Sequence, residues 1–471
     1  MRALIGNLTQ RHDRIVFVGL SFVWCLVFAL IFRNKSFLET STGFYESLVS
    51  SASNSTHSKE IASVTEIATT KYEWPSEFDL IPWETDGIKA ICDATVWREN
   101  VYFHCDMNFG GFGNVRSMIA NCMRYAIEAG ATLIMPRIWQ RDQVNLANLQ
   151  TSITTLDYMF DAGFFAETVN NTCPQLKLIP SMNDVPWLGE AHIPPPLIPR
   201  SLRMDSKIPD NEIMFFAINQ ESHSFRQMFD NWLVRDVGTP EYEKPVIVRI
   251  GSHPQVFFDW DLHKDPANFW YYFGRIVRPR LDLANLALEA LQNLEARINK
   301  SHATLESHQL PSHHANLSSF YGAHMRGESD VASWSTLDEL VTNIVDGAKQ
   351  RNFKLIFVAT GDKQNYLDLK ERAGQSDIEV IDKYDLVSPA SQEMMGNFTF
   401  DQTALVDYLI LSKSGYFSGH RYSSFSHTVA SYRLLLEEDP EKRVRNSDEG
   451  DNYKLSGLTM SHPTFWAGVY P

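Results

Sequence analysis

The chain has 471 residues, 44% of them hydrophobic and 12% aromatic, enough apolar material for a large core and for two or more domains, which excludes a disordered chain. Its formal net charge of -15 excludes non-specific binding of nucleic acid through a basic surface. Any anionic ligand has to be held by individually placed cations.

Ile15 to Phe32 is an uncharged apolar run of 18 residues, preceded by Arg2, Arg11 and Arg14 and followed by Arg33 and Lys35. No small-x-small cleavage site follows it, so it predicts an uncleaved signal-anchor over 15–32 with a cytosolic tail at 1–14. The expected protein is a single-pass type II membrane protein of the Golgi or endoplasmic reticulum with a lumenal body. Asn54, Asn170, Asn299, Asn316 and Asn397 each begin an Asn-x-Ser/Thr triplet beyond the anchor, in keeping with that orientation. Residues 33–80 are rich in Ser and Thr and lack apolar periodicity, which predicts a flexible stem. Cys25 lies in the anchor. Cys92, Cys105, Cys122 and Cys173 make an even set in an oxidising compartment, with three possible connectivities, of which Cys92–Cys105 with Cys122–Cys173 is preferred. No Cys-x-x-Cys spacing suggests zinc.

Val101 to His104 reads as a strand, Gly110, Gly111, Phe112 and Gly113 as a loop, and Asn114 to Ala129 as a helix burying Met118, Ile119, Cys122, Met123 and Ala126. Gly130 ends that helix, and Thr132 to Met135 is a second strand. The glycine loop therefore sits at a helix N-terminus, where oriented N–H groups attract anions or sugar hydroxyls, although a tight turn for packing explains it equally. Between Arg137 and Ser301 the usable signals are a strand at Val246 to Ile250, a helix from Leu281 to Ile298, and Asp259-Trp-Asp261, whose two carboxylates could hold a divalent cation on a pyrophosphate. The histidines from His302 to His314 read as an exposed insertion.

Phe320, Tyr321, Ala323 and Met325 have the bulk of a buried strand that delivers His324 and Arg326 together to its carboxyl end, where open α/β sheets bind ligands. A guanidinium there suits a phosphate or pyrophosphate. The alternative is a surface ion pair with Glu328 or Asp330. Helices at Leu337 to Lys349 and Asn365 to Arg372 then alternate with strands at Leu355 to Ala359 and Ile378 to Ile381, which is βαβ logic. A helix from about Asp401 to Leu411 carries Asp407, a strand spans Tyr416 to Ser418, and Ser423, Ser424 and Phe425 open a last helix. That helix start is a second anion site, unless the serines serve only as caps.

Gly-Gly-Phe-Gly-Asn before a helix, His-x-Arg at a strand end, and Asp407 followed 16 residues later by Ser-Ser-Phe-Ser, in this order, resemble the protein O-fucosyltransferase superfamily over about 100–136 and 318–436. The resemblance implies an α/β fold of GT-B type, two Rossmann-like domains facing across a cleft, expected here at 85–275 (acceptor side) and 276–471 (nucleotide-sugar side). It implies inverting transfer from GDP-fucose to a protein or glycan hydroxyl, with no cofactor and no required metal. By that resemblance Arg326 binds the donor pyrophosphate, His324 and Asp407 the guanosine, Ser423, Ser424 and Phe425 surround the phosphates, and Asn114 and the glycine loop face the reacting sugar. Two departures stand out. Gly111 occupies the place where some relatives carry a glutamate general base, and Gly327 replaces a second basic residue after His-x-Arg. The rival readings are a metal-dependent transferase using Asp259 and Asp261 and a non-catalytic glycan- or nucleotide-binding membrane glycoprotein.

Overall fold

The structure, a computed structural model, describes residues 73–79, 82–202, 216–217, 225–250, 257–258, 265–302, 318–328, 335–436, 449–456 and 469–470. The apolar run 15–32, the stem up to residue 72, Asp259 and Asp261, the insertion at 303–316, Asp330, and the sequons at Asn54 and Asn316 lie outside these residues. Among the described residues no helix is long and apolar enough to cross a membrane.

Residues Glu73–Pro471 form one compact unit that contains two parallel sheets. Along the first half run α1 (Asp86–Ala94), β1 (Val101–His104), α2 (Phe112–Ala129), β2 (Thr132–Ile134), β3 (Arg137–Gln140), β4 (Ser152–Thr155), α3 (Ala162–Thr172), β5 (Leu178–Ile179), β6 (Phe216–Ala217), α4 (Phe225–Trp232), β7 (Val246–Arg249), β8 (Phe257–Phe258) and α5 (Ala267–Phe273). The first sheet has the order β5-β2-β1-β7, with all neighbours parallel. Every residue of β1 is buried, as a parallel strand covered on both faces requires. β3 and β4 form an antiparallel hairpin beside it.

The helix α2 is buried around almost its whole circumference, whereas its apolar spacing predicts one buried face. The reason is its position, since it touches β1 and β2 as well as α10 (Phe400–Ser412) and α11 (Ser424–Leu434) of the second half. Its two arginines therefore need internal partners. Arg124 pairs with Asp265 at 2.8 Å, and Arg116 donates to the carbonyls of Val277 and Tyr470. Gly113 explains how close the halves come, because a Cβ there would lie 2.5 Å from the backbone of Ser424. At the other end Gly130 adopts φ +66 and closes the helix through its N–H.

The second half continues with α6 (Leu281–His302), β9 (Ser318–His324), α7 (Leu337–Gln350), β10 (Leu355–Ala359), α8 (Lys363–Gly374), β11 (Glu379–Ile381), α9 (Pro389–Gly396), then α10, β12 (Ser414–His420), α11, β13 (Glu449–Gly450) and β14 (Tyr453–Ser456). Its sheet has the order β11-β10-β9-β12-β14-β13, parallel except for the β13–β14 pair. From β9 the chain steps outward through β10 to β11, and α10 then carries it back to β12 on the other side of β9. The order reverses between β9 and β12, and a reversal opens a crevice at the carboxyl ends of those strands. Local signals agree with the path. Thr336 with Glu339 and Thr399 with Gln402 form capping boxes on α7 and α10, and Asp362 caps α8.

Both preferred disulfides are overturned. Cys92 at the end of α1 bonds Cys173 at the end of α3, and Cys105, just after β1, bonds Cys122 on α2. The β1–α2 crossover brings Cys122 onto Cys105 with a Cα separation of 6.0 Å, within bonding range, and so leaves Cys92 to Cys173. Residues 73–79, expected at the end of the stem, pack onto the body, with Phe78 buried and its carbonyl accepting from Tyr432.

Candidate active site

The crevice between β9 and β12 opens into a cavity of about 380 Å³. His324 is the last residue of β9, and Arg326 and Glu328 follow it. Arg326 pairs with Glu328 as one sequence reading proposed, but the pair lies in the cavity wall and Glu328 is buried. Glu328 also accepts the Gly361 N–H at 2.9 Å through its other oxygen, which ties the guanidinium to the end of β10. The arginine is thus held in place at the mouth of the switch point.

His324 packs against Phe425 at a centroid distance of 4.4 Å with the rings tilted by 33°. Its Nδ1 lies 2.7 Å from Ser426 Oγ, which already accepts the His420 N–H. Burial, then Arg326 and His420, push the His324 pKa well below the ordinary histidine value, so the ring is neutral. His420, at the end of β12, is lowered to about 4 by burial and by Arg326.

One wall is α10. Phe400, Asp401, Thr403, Ala404 and Asp407 face the cavity at helical spacing. Asp407 is buried, with Oδ2 accepting from Lys383 at 2.5 Å. Its Oδ1 makes no hydrogen bond. Burial pushes its pKa up to about 6 against the pull of Lys383. Opposite, Ser423, Ser424 and Phe425 begin α11, and no side chain caps that helix start. Ser423 stands at the cap position without using its hydroxyl as a cap, so capping does not account for it.

The first half closes the cavity with Gly111, Phe112, Gly113 and Asn114. Asn114 lies in the first turn of α2, not in the preceding loop, because the helix begins at Phe112. The Phe112 ring packs against Tyr408 at 4.7 Å and Phe425 at 6.0 Å. Gly110 is the one predicted residue outside the cavity wall. Its φ of +96 is the left-handed conformation that favours glycine, and a Cβ there would sit 3.0 Å from Asn114 Nδ2.

Sequence reasoning missed Arg141, Asp401 and Lys383. Arg141 follows β3, is buried, and lies over the Phe400 ring at 5.5 Å, with Nε 3.5 Å from Asp401 Oδ1. Neither Arg141 Nε and Nη1 nor Asp401 Oδ1 makes a hydrogen bond. The short β3–β4 hairpin gave no period long enough to recognise, and the Thr-x-x-Gln capping box makes Asp401 look like a first-turn acid.

A family model for GDP-fucose protein O-fucosyltransferase matches residues 101–436, from β1 to the end of α11. The chain belongs to that family. No curated protein matches it. Among solved structures it is similar to POFUT1 in complex with GDP-fucose, at 14% identity over 76% of this chain and 98% of that chain with a TM-score of 0.42. NodZ from Bradyrhizobium gives 16% identity over 72% and 94% with a TM-score of 0.33, and a mutant of Arabidopsis thaliana FUT1 with GDP gives 14% over 74% and 71% with a TM-score of 0.34.

This member of the O-fucosyltransferase family is thus a glycosyltransferase whose crevice combines a tethered arginine, an uncapped helix start, a neutral imidazole and a buried carboxylate with one oxygen left without a hydrogen bond. Its departures have structural counterparts. A Cβ on Gly111 would meet Arg141 Nη2 at 3.5 Å, so a cation flanks the place where a side chain would project. A Cβ on Gly327 would meet Asn365 Nδ2 at 2.5 Å, and the Gly327 carbonyl accepts from that same amide. A basic side chain at 327 would displace this lock.

Proposed function

We propose that the chain transfers fucose from GDP-fucose, with inversion at the anomeric carbon, to a hydroxyl of a protein or glycan. The observation that carries the reading is the pairing, in one crevice, of a buried Asp407 carboxylate oxygen left without a hydrogen bond with a cation and an uncapped helix start. Guanine offers N–H donors to such an oxygen, which uracil does not present in the same paired geometry. Arg326 and the N-terminus of α11 suit the diphosphate and, in the transition state, the negative charge that builds on it as the sugar leaves. His324 and Phe425 offer an aromatic wall to the nucleoside, Ser423 and Ser424 offer hydroxyls to the phosphates, and Asn114 with Gly111 and Gly113 faces the sugar. The division into an acceptor-side domain at 85–275 and a donor-side domain at 276–471 belongs to this reading, with the donor held without metal.

The test is thermal. GDP without added metal should stabilise the purified body, by about 2.7 kcal/mol at roughly 100 times its dissociation constant, or about 3 °C for a body of this size. UDP should do much less. Stabilisation only by UDP with manganese, abolished by a chelator, would refute the donor assignment.

A lumenal body behind the 15–32 anchor, in the Golgi or endoplasmic reticulum, completes the proposal. Asn170, Asn299 and Asn397 are exposed and open to glycosylation in that orientation. Asn7 begins a further triplet, Asn-Leu-Thr, on the cytosolic side of the anchor, and a glycosidase-sensitive mass on it would invert the orientation.

A further inference from the structure

Transfer to a hydroxyl needs a group that takes its proton, and the cleft lining contains three carboxylates. Glu328 has both oxygens engaged, by Arg326 and by the Gly361 N–H. Asp407 binds Lys383 with one oxygen, and its other is the acceptor that the donor reading gives to guanine. His324 has Nδ1 engaged with Ser426, and burial, then Arg326 and His420, hold its pKa well below the ordinary histidine value, which makes it a poor proton acceptor.

Asp401 remains. It is 2% exposed, lines the cavity, and its Oδ1 makes no hydrogen bond. It lies six residues before Asp407 on α10, about 9 Å along the helix axis, so the two carboxylates serve different ends of the cavity. The Asp401 end is the one closed by the first half, because Arg141 reaches from Asp401 to within 3.5 Å of a Cβ built on Gly111. We propose that Asp401 is the general base of the transfer, receiving the acceptor proton on its carboxylate, with Arg141, which faces Oδ1, as its positioning residue.

The proposal rests on the donor reading above. In the step, the acceptor oxygen bonds to the anomeric carbon while its proton passes to Asp401. The bond from that carbon to the β-phosphate oxygen breaks, and its electron pair leaves with GDP beside Arg326 and α11. Nothing is oxidised or reduced, and the proton is later lost to solvent.

The electrostatics suit the task. The charged and titratable groups facing Asp401 are Arg141 after β3, Arg326 after β9, and Tyr158 before α3. Burial raises its pKa to about 6, with Arg141 and then Arg326 pulling it down. It is therefore ionised at neutral pH yet far more basic than an exposed aspartate.

The experiment measures GDP release from GDP-fucose with water as acceptor, which needs no knowledge of the natural one. Asp401→Asn should lower that release by about 100-fold or more while the GDP-induced thermal shift persists. Azide, already an anion and needing no base, should restore GDP release in Asp401→Asn and yield fucosyl azide of inverted configuration. The wild-type rate should rise through about pH 6, and Arg141→Gln should move that rise to higher pH because the cation that holds the carboxyl down is gone. Release within about threefold of wild type in Asp401→Asn, or no azide rescue while GDP still binds, overturns the base assignment alone. Wild-type protein that binds GDP but releases none from GDP-fucose, in water or azide, also overturns it and leaves the nucleotide site standing. Absence of any GDP-induced shift in the wild type removes the donor reading, and the base with it.

Discussion

Replacing Asp407 by asparagine separates what this carboxylate does for folding from what it does for the nucleotide. Asp407 and Lys383 are buried together, with side chains 6% and 7% exposed and 2.5 Å apart. Asp407→Asn leaves the ammonium without its counter-charge, and breaking one side of a buried pair costs about 3–5 kcal/mol. With an unfolding entropy of about 2.1 cal/mol/K per residue over the roughly 400-residue body, the melting temperature should fall by about 4–6 °C. The double variant Asp407→Asn/Lys383→Met removes both charges and should recover most of that loss. It should not recover nucleotide selectivity, because a charge-assisted hydrogen bond to guanine, worth about 1.5–3 kcal/mol, is absent from it. Scanning fluorimetry with GDP and UDP across the three proteins gives both numbers. A double variant that prefers GDP over UDP as strongly as the wild type refutes the guanine assignment, and a single variant as stable as the wild type refutes the pairing.

Arg326→Lys should lose GDP release nearly as badly as Arg326→Ala, because a point charge reproduces neither the planar contact with a diphosphate nor the tether to Glu328; turnover near wild type in the lysine variant would remove that role. Gly113→Ala places a methyl group 2.5 Å from the Ser424 backbone and should cost about 1–3 kcal/mol. Because the displaced backbone is the start of α11, the same variant should weaken GDP and UDP binding alike, and a denaturation midpoint unchanged from wild type would contradict the close approach.

The second half was legible because each of its elements carries its own signal. Leu340, Val341, Ile344, Val345 and Ala348 recur at helical spacing on α7, all five residues of β10 are buried, and α7, α8, α9 and α10 begin at side-chain caps. A parallel βαβ succession follows from such elements alone, and with it the delivery of His324 and Arg326 to a strand end. Differences at the boundaries were small where a cap marked the start. Asp362 moves the beginning of α8 to Lys363, and Thr399 moves that of α10 to Phe400. The disulfides were another matter, since pairing depends on which faces α1, α3 and α2 present to their neighbours, and spacing in sequence carries none of that.

What stayed hidden in the site has a common cause, namely dependence on contact between the halves. Gly113 reads in sequence as part of an anion-binding loop, but its missing side chain is what lets α2 and α11 meet. Arg141 looks like an isolated cation after a short hairpin until α10 brings Asp401 and Phe400 to it. Lys383 looks like a surface residue after β11 until Asp407, 24 residues later, arrives over it. In the last two cases one partner lies on a regular element with a readable period and the other on a connection whose conformation is set only by tertiary packing. The unsatisfied atoms of Arg141, Asp401 and Asp407 mark where this packing stops short of completing the hydrogen bonds. Burying polar atoms unpaired is unfavourable for folding, and these three residues all line the same crevice, where a polar ligand can offset that cost.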